Sequence, residues 1–140
     1  MKGFSKIEIK MNSKERIQAA ISLKMPDRVP VDLHNFQTAA FATGLPLNKI
    51  FQDGELLAQS MLDAWREFGH DMILLENGTA CNAQACGVEV AYRENAAPAA
   101  LQPIIHSLKD ISAFEVPDPY TTFPMNEILK AVKILSKEIG

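Results

Sequence analysis

The strongest constraint on this chain is a unit that occurs twice: an amphipathic helix, a breaker, then a short apolar strand that stops at two polar residues. In the first copy a helix expected over 13–24 is stopped by Pro26. The strand 29–33 follows and ends at His34 and Asn35. In the second copy a helix over 54–68 ends at Gly69, and the strand 72–75 stops at Glu76 and Asn77. Parallel neighbours cannot be joined by a tight turn and need a crossover, usually a helix. Helix and strand in alternation therefore predict an α/β chain with a parallel sheet. The continuous apolar run 72–75 suits a strand covered on both faces. The pattern reads as the N-terminal part of a (β/α)8 TIM barrel. A whole barrel takes about 250 residues, so the 140 residues here are expected to form an incomplete one.

Local signals fill in the rest. Residues 1–12 read as an N-terminal tail, and 13–140 as the barrel portion. Asn12 and Glu15 have capping-box spacing ahead of the first helix. Residues 36–41 suggest a short helix broken at Gly44, and 47–51 another turn. Asp53 caps the clearest helix, whose stripe of Leu57, Met61, Ala64, Trp65 and Phe68 predicts a buried face. Residues 79–86 are helix-compatible up to Gly87. Residues 88–92 alternate as a strand outside the main sheet, 95–103 read as an alanine- and proline-rich loop, and Ile104 and Ile105 as a brief strand. Ser107 and Asp110 cap a short helix over 107–114. Pro124 and Glu127 suit the first turn of a last helix. Its expected stripe is Ile128, Leu129, Val132, Leu135 and Ile139, with Lys130, Lys133 and Lys137 on the solvated face.

Charge and cysteine usage narrow the function classes. The net charge is −3 and no basic cluster exceeds two residues, which argues against nucleic-acid binding. No apolar run approaches the roughly 18 residues of a membrane span, and the polar start lacks the apolar core of a secretory signal. Two cysteines do not make a disulfide framework. A soluble cytoplasmic protein with reduced thiols is expected.

In a parallel barrel the loops at the carboxyl ends of the strands face the active site. His34, Asn35, Glu76 and Asn77 are therefore the candidate substrate-binding residues. A neutral imidazole at 34 can bind substrate or move a proton, and Glu76 can orient an amine or accept a proton. The same residues also read as capping pairs for the helices that follow. No catalytic residue is assigned. Cys81 and Cys86, five apart, fall on different faces of a helix and read as small buried groups rather than metal ligands. His70 and His106 read as structural or solvated, and Trp65, Phe68 and Met61 as core.

The ordered motifs resemble a known family. Ser13-Lys-Glu-Arg-Ile, followed by Pro26-Asp27-Arg28-Val29-Pro30-Val31, is similar to the opening of the uroporphyrinogen decarboxylase family. That family includes the cobalamin-dependent methyltransferases acting on methylcorrinoid proteins. Asp71-Met-Ile-Leu-Leu, then Gln84-Ala85-Cys86-Gly87-Val88-Glu89-Val90, Pro103-Ile104-Ile105 to Asp110, and Val116-Pro117-Asp118-Pro119 agree in order and spacing. The resemblance implies one (β/α)8 barrel, of which residues 13–140 would be the N-terminal portion. It also implies a truncated product, one half of a split gene, or a fragment. Decarboxylases of the family carry an Arg-Gln-Ala-Gly-Arg stretch whose guanidinium groups hold the substrate carboxylates. Here the matching positions read Asn35-Phe36-Gln37-Thr38-Ala39, without arginine. The family's catalytic aspartate has Gly78 as its nearest match. The resemblance therefore implies the methyltransferase branch, moving a methyl group between a methylcorrinoid protein and a thiol. Zinc and a corrinoid (cobalamin) partner are expected for the full-length enzyme, whose His-x-Cys and later Cys ligands lie in the C-terminal half; this segment is expected to bind no cofactor. Uroporphyrinogen decarboxylation is the alternative. An inactive remnant or partner-docking subunit is a third, because an incomplete barrel leaves an unpaired edge that favours self-association or the missing half.

Overall fold

The computed structural model describes residues 10–34, 36–75 and 78–139. Helix α1 spans Ser13–Ile21 and opens on the expected capping box, with Asn12 and Glu15 each accepting the other's backbone N–H. It ends three residues earlier than expected. Leu23 takes φ +56°, and the Leu23 and Lys24 N–H groups donate to the Ala20 and Ala19 carbonyls. That pair of bonds is the Schellman ending, which satisfies the last carbonyls of the helix. A glycine commonly marks it; a leucine hides it from a sequence reading.

Helix α2 spans Phe36–Thr43, α3 Leu47–Ile50 and α4 Gly54–Phe68. Asp53 caps α4 by accepting the Glu55 and Leu56 N–H groups, and Gly69 closes it at φ +63°. Helix α5 spans Cys81–Ala85 and α6 Met125–Ile139. The core lies between α2, α3, α4 and α6, around Ala39, Leu47, Ile50, Phe51, Leu57, Ala58, Met61 and Ala131. The expected stripe on α4 is buried at its first three positions, whereas Trp65 is half-buried and Phe68 is 52% exposed. Phe68 lies in the last turn of α4. On α6 the buried line runs through Ala131 and Leu135, with Ile128 half-buried. Leu129, Val132 and Ile139 are partly exposed. Lys130 does not stand free in solvent: its Nζ pairs with Glu55 at 3.2 Å and Glu127 at 3.6 Å, tying α4 to α6.

The two expected strands are reduced to one parallel bridge, between Asp32 and Met72. The direction is as expected; the extended ladder is not formed among the described residues. The regular sheet is instead a hairpin. Strand β1, Val90–Arg93, pairs antiparallel with β2, Ala96–Ala100, across an irregular register beside Pro98. The alanine- and proline-rich stretch read as a loop thus holds a strand. Alanine and proline carry little strand preference, and a two-stranded sheet is all edge, where a missing N–H is tolerated. Ile104 and Ile105 form no strand. A 3₁₀ helix over Leu108–Ala113 carries the capping box of Ser107 and Asp110.

Candidate functional site

The bridge fixes which ends of the two segments coincide. Asp32 lies beside Met72 in parallel, so both segments run the same way and their carboxyl ends emerge on one side. Successive residues of an extended segment point to opposite faces. Leu33, Ile73 and Leu75 pack on the helical core. Alternation assigns Asp32, His34, Met72 and Leu74 to the other face, and Met72 and Leu74 are accordingly part-exposed. That face is the one a closed barrel would enclose. His34 is exposed at the end of the first segment. Asn35, Glu76 and Asn77 lie outside the described residues.

Gly78 follows the second tip and is buried at φ +78°. A Cβ there would stand 3.0 Å from Pro98 Cδ and 3.7 Å from Phe51 Cε1. The backbone conformation and the hairpin together disfavour any side chain at this position, including a carboxylate.

The amino ends of the same segments carry a charge network that sequence reasoning missed. Asp71 has a fully buried carboxylate that accepts from Ser13 Oγ, Arg16 Nη1, both Arg28 Nη atoms and the Val31 N–H. Asp27 accepts from Arg16 Nε at 2.6 Å and from the Lys10, Met11 and Arg28 backbone N–H groups. Burial pushes the Asp71 carboxyl up, but the hydrogen bonds from Val31, Ser13, Arg28 and Arg16 outweigh it and hold the group at about 2. Asp27 is held well below the usual carboxylate range, chiefly by the Arg16 guanidinium. This network joins residues 10–11, α1, the first strand segment and the start of the second. No local pattern reveals it, because Arg16 and Asp71 are far apart in the chain.

Both arginines between residues 13 and 33 are thus turned to the amino end, away from His34. Arg66 pairs with Asp63 on the outer side of α4. Among the described residues no three of His, Cys, Asp and Glu come together to hold a metal ion. Cys81 is a buried free thiol whose pKa is pushed up by burial, and Cys86 is half-buried and free. His106 is exposed, whereas His70 is buried. Among the described residues no helix is long and apolar enough to cross a membrane.

A family model described as uroporphyrinogen decarboxylase (URO-D) matches residues 12–140. A methyltransferase from Methanosarcina mazei has a solved structure similar to this one, with a TM-score of 0.77 at 21% identity. The likeness covers 94% of this chain and 40% of that one, so the chain spans less than half the length of its structural relative. The likeness carries the fold. No curated protein matches.

Proposed function

We propose that this chain, which belongs to the uroporphyrinogen decarboxylase family, forms the N-terminal part of a barrel that moves a methyl group between a methylcorrinoid protein and a thiol. The supporting observation is the placement of guanidinium groups. A tetrapyrrole with several carboxylates calls for arginines at the carboxyl ends of the strands, where bidentate pairing is strongest. Arg16 and Arg28 are instead committed to Asp27 and Asp71 at the amino ends. The first turn of α2 carries Gln37 and Thr38 and no arginine. A loop without a guanidinium suits a small or uncharged acceptor better than a polyanion.

On this reading His34, Asn35, Glu76 and Asn77 line the substrate side and orient the acceptor, with His34 able to hold or pass a proton. The described residues do not fit a zinc site, so thiol activation by a metal would fall to other sequence. A chimera tests the reading: residues 12–140 replace the matching 40% of the Methanosarcina methyltransferase, and methyl transfer from methylcobalamin to a thiol is measured. Turnover is expected, with a loss of roughly tenfold or more in His34→Ala, the value of one hydrogen bond to a polar substrate. A folded chimera that releases CO₂ from uroporphyrinogen and transfers no methyl group would favour decarboxylation instead.

A second reading, a docking subunit, draws on one groove of about 480 Å³ beside the second segment. Trp65, Ile73, Leu75, Val132 and Ile139 give it apolar walls. On the barrel reading a further strand and helix would cover it, and apolar surface of that kind marks an interaction site. Sedimentation of the chain by itself is expected to show self-association that Val132→Glu reduces. A monomer at high concentration would count against this reading.

A further inference from the structure

The β1–β2 hairpin lies outside the parallel bridge, yet it is tied to the rest of the chain at three places. At its turn the Glu94 carbonyl accepts the Leu47 N–H at 3.0 Å, which fixes it to the start of α3 in the core. On β1 the Tyr92 hydroxyl donates to Gln84 Oε1 of α5 at 2.5 Å. On β2 Pro98 is buried, and its Cδ and Cγ lie 3.0 Å and 3.2 Å from where a Cβ on Gly78 would stand.

The third tie bears on the second strand end. The proline ring takes the space beside Gly78 that a side chain would fill, with the buried Phe51 ring next to it. Gly78 directly follows Glu76 and Asn77 in the chain, and its carbonyl accepts the Cys81 N–H at 3.3 Å at the start of α5. A glycine has the widest backbone freedom of any residue, so this junction needs a support from outside. Proline suits that task. Its ring is locked and loses almost no side-chain entropy on burial, and in a sheet that is all edge its missing N–H is tolerated. Tyr92 holds the other end of α5, so one hairpin fixes both limbs of the turn.

We propose that Pro98 is a positioning residue: the hairpin braces Gly78 and through it sets where Glu76 and Asn77 stand. The brace itself is independent of the reaction; that the strand end serves methyl transfer rests on the reading above. The test measures backbone amide hydrogen exchange in the 140-residue chain and in Pro98→Ala, Pro98→Val and Tyr92→Phe. Cys81 is expected to exchange roughly tenfold faster or more in Pro98→Ala, as its bond to the Gly78 carbonyl loosens, while the α4 amides of Leu57 to Ala64 keep their rates. Pro98→Val, which refills the wall, should restore protection. Tyr92→Phe, a milder change that keeps the ring, should shift Cys81 in the same direction. Unchanged Cys81 exchange, or a rise shared equally by α4, would show a general stabilising role and overturn the proposal. In the chimera, Pro98→Ala should lower kcat by roughly tenfold or more with KM little changed, since a misplacement of about 1 Å can cost about a hundredfold in rate. An active chimera whose kcat ignores Pro98→Ala would also overturn it. An unmutated chimera without methyl transfer would count against the methyl-transfer reading, and the exchange rates would still decide the brace.

Discussion

Asp71→Ala is expected to cost the protein a large share of its stability at neutral pH. The substitution removes the acceptor for five donors and leaves Arg16 buried with one of its two carboxylates gone. Breaking a buried ion pair from one side costs about 3–5 kcal/mol, and a domain is commonly stable by only about 5–15 kcal/mol. Asp71→Asn keeps the volume but loses the charge, and an amide group would present donors to guanidinium donors. It should be nearly as damaging. Urea unfolding followed by circular dichroism measures both; a midpoint within error of the unmutated chain would show that the network carries little stability. Acid gives a second measure. The folded pKa of Asp71 is about 2, below the unfolded value of about 3.9. Its contribution is therefore complete above about pH 4 and is lost as pH falls through about 2. Asp27 acts in the same direction. His70 adds an earlier, smaller loss: its folded pKa is lowered, so stability is complete above about 6.5 and declines as pH falls below it.

What the sequence showed and what it hid divide by distance along the chain. The Asn12–Glu15 box, the Asp53 cap and the Ser107–Asp110 box are three-residue devices, and each forms where the spacing placed it. The parallel relation of 29–33 and 72–75 was also legible, because a helix between two apolar runs leaves few alternatives. Strand β2 was not, since its alanines and proline owe their pairing to the facing strand rather than to their own preference. The Arg16–Asp71 contact joins residues 55 apart, a relation that periodicity cannot report. For the candidate site, the sequence pointed to the strand ends, and the bridge brings those ends to one side; of the four residues named, His34 is described.

Gly54→Ala should destabilise the chain even though helix preference alone argues the opposite. Gly54 is the first residue of α4, and its N–H donates to Glu127 Oε2 at 2.7 Å. A Cβ at this position would stand 2.2 Å from the Glu127 backbone oxygen and 3.1 Å from Lys130 Cβ. Within a helix alanine is favoured over glycine by about 1 kcal/mol, less at a first turn. Overpacking costs about 1–3 kcal/mol when side chains can shift. Here the obstacle is the main chain of α6, held by the Lys130 pairs to Glu55 and Glu127, so relief requires moving one helix off the other. The steric cost is therefore expected at or above the top of that range, a net loss of about 2–3 kcal/mol. Glu127→Gln separates the two contributions. It weakens the bond to the Gly54 N–H yet leaves the backbone oxygen in place, so it should cost less alone and should not rescue Gly54→Ala. Thermal unfolding of the three variants decides the matter: a Gly54→Ala chain as stable as the unmutated one would mean that α4 and α6 do not meet at this glycine.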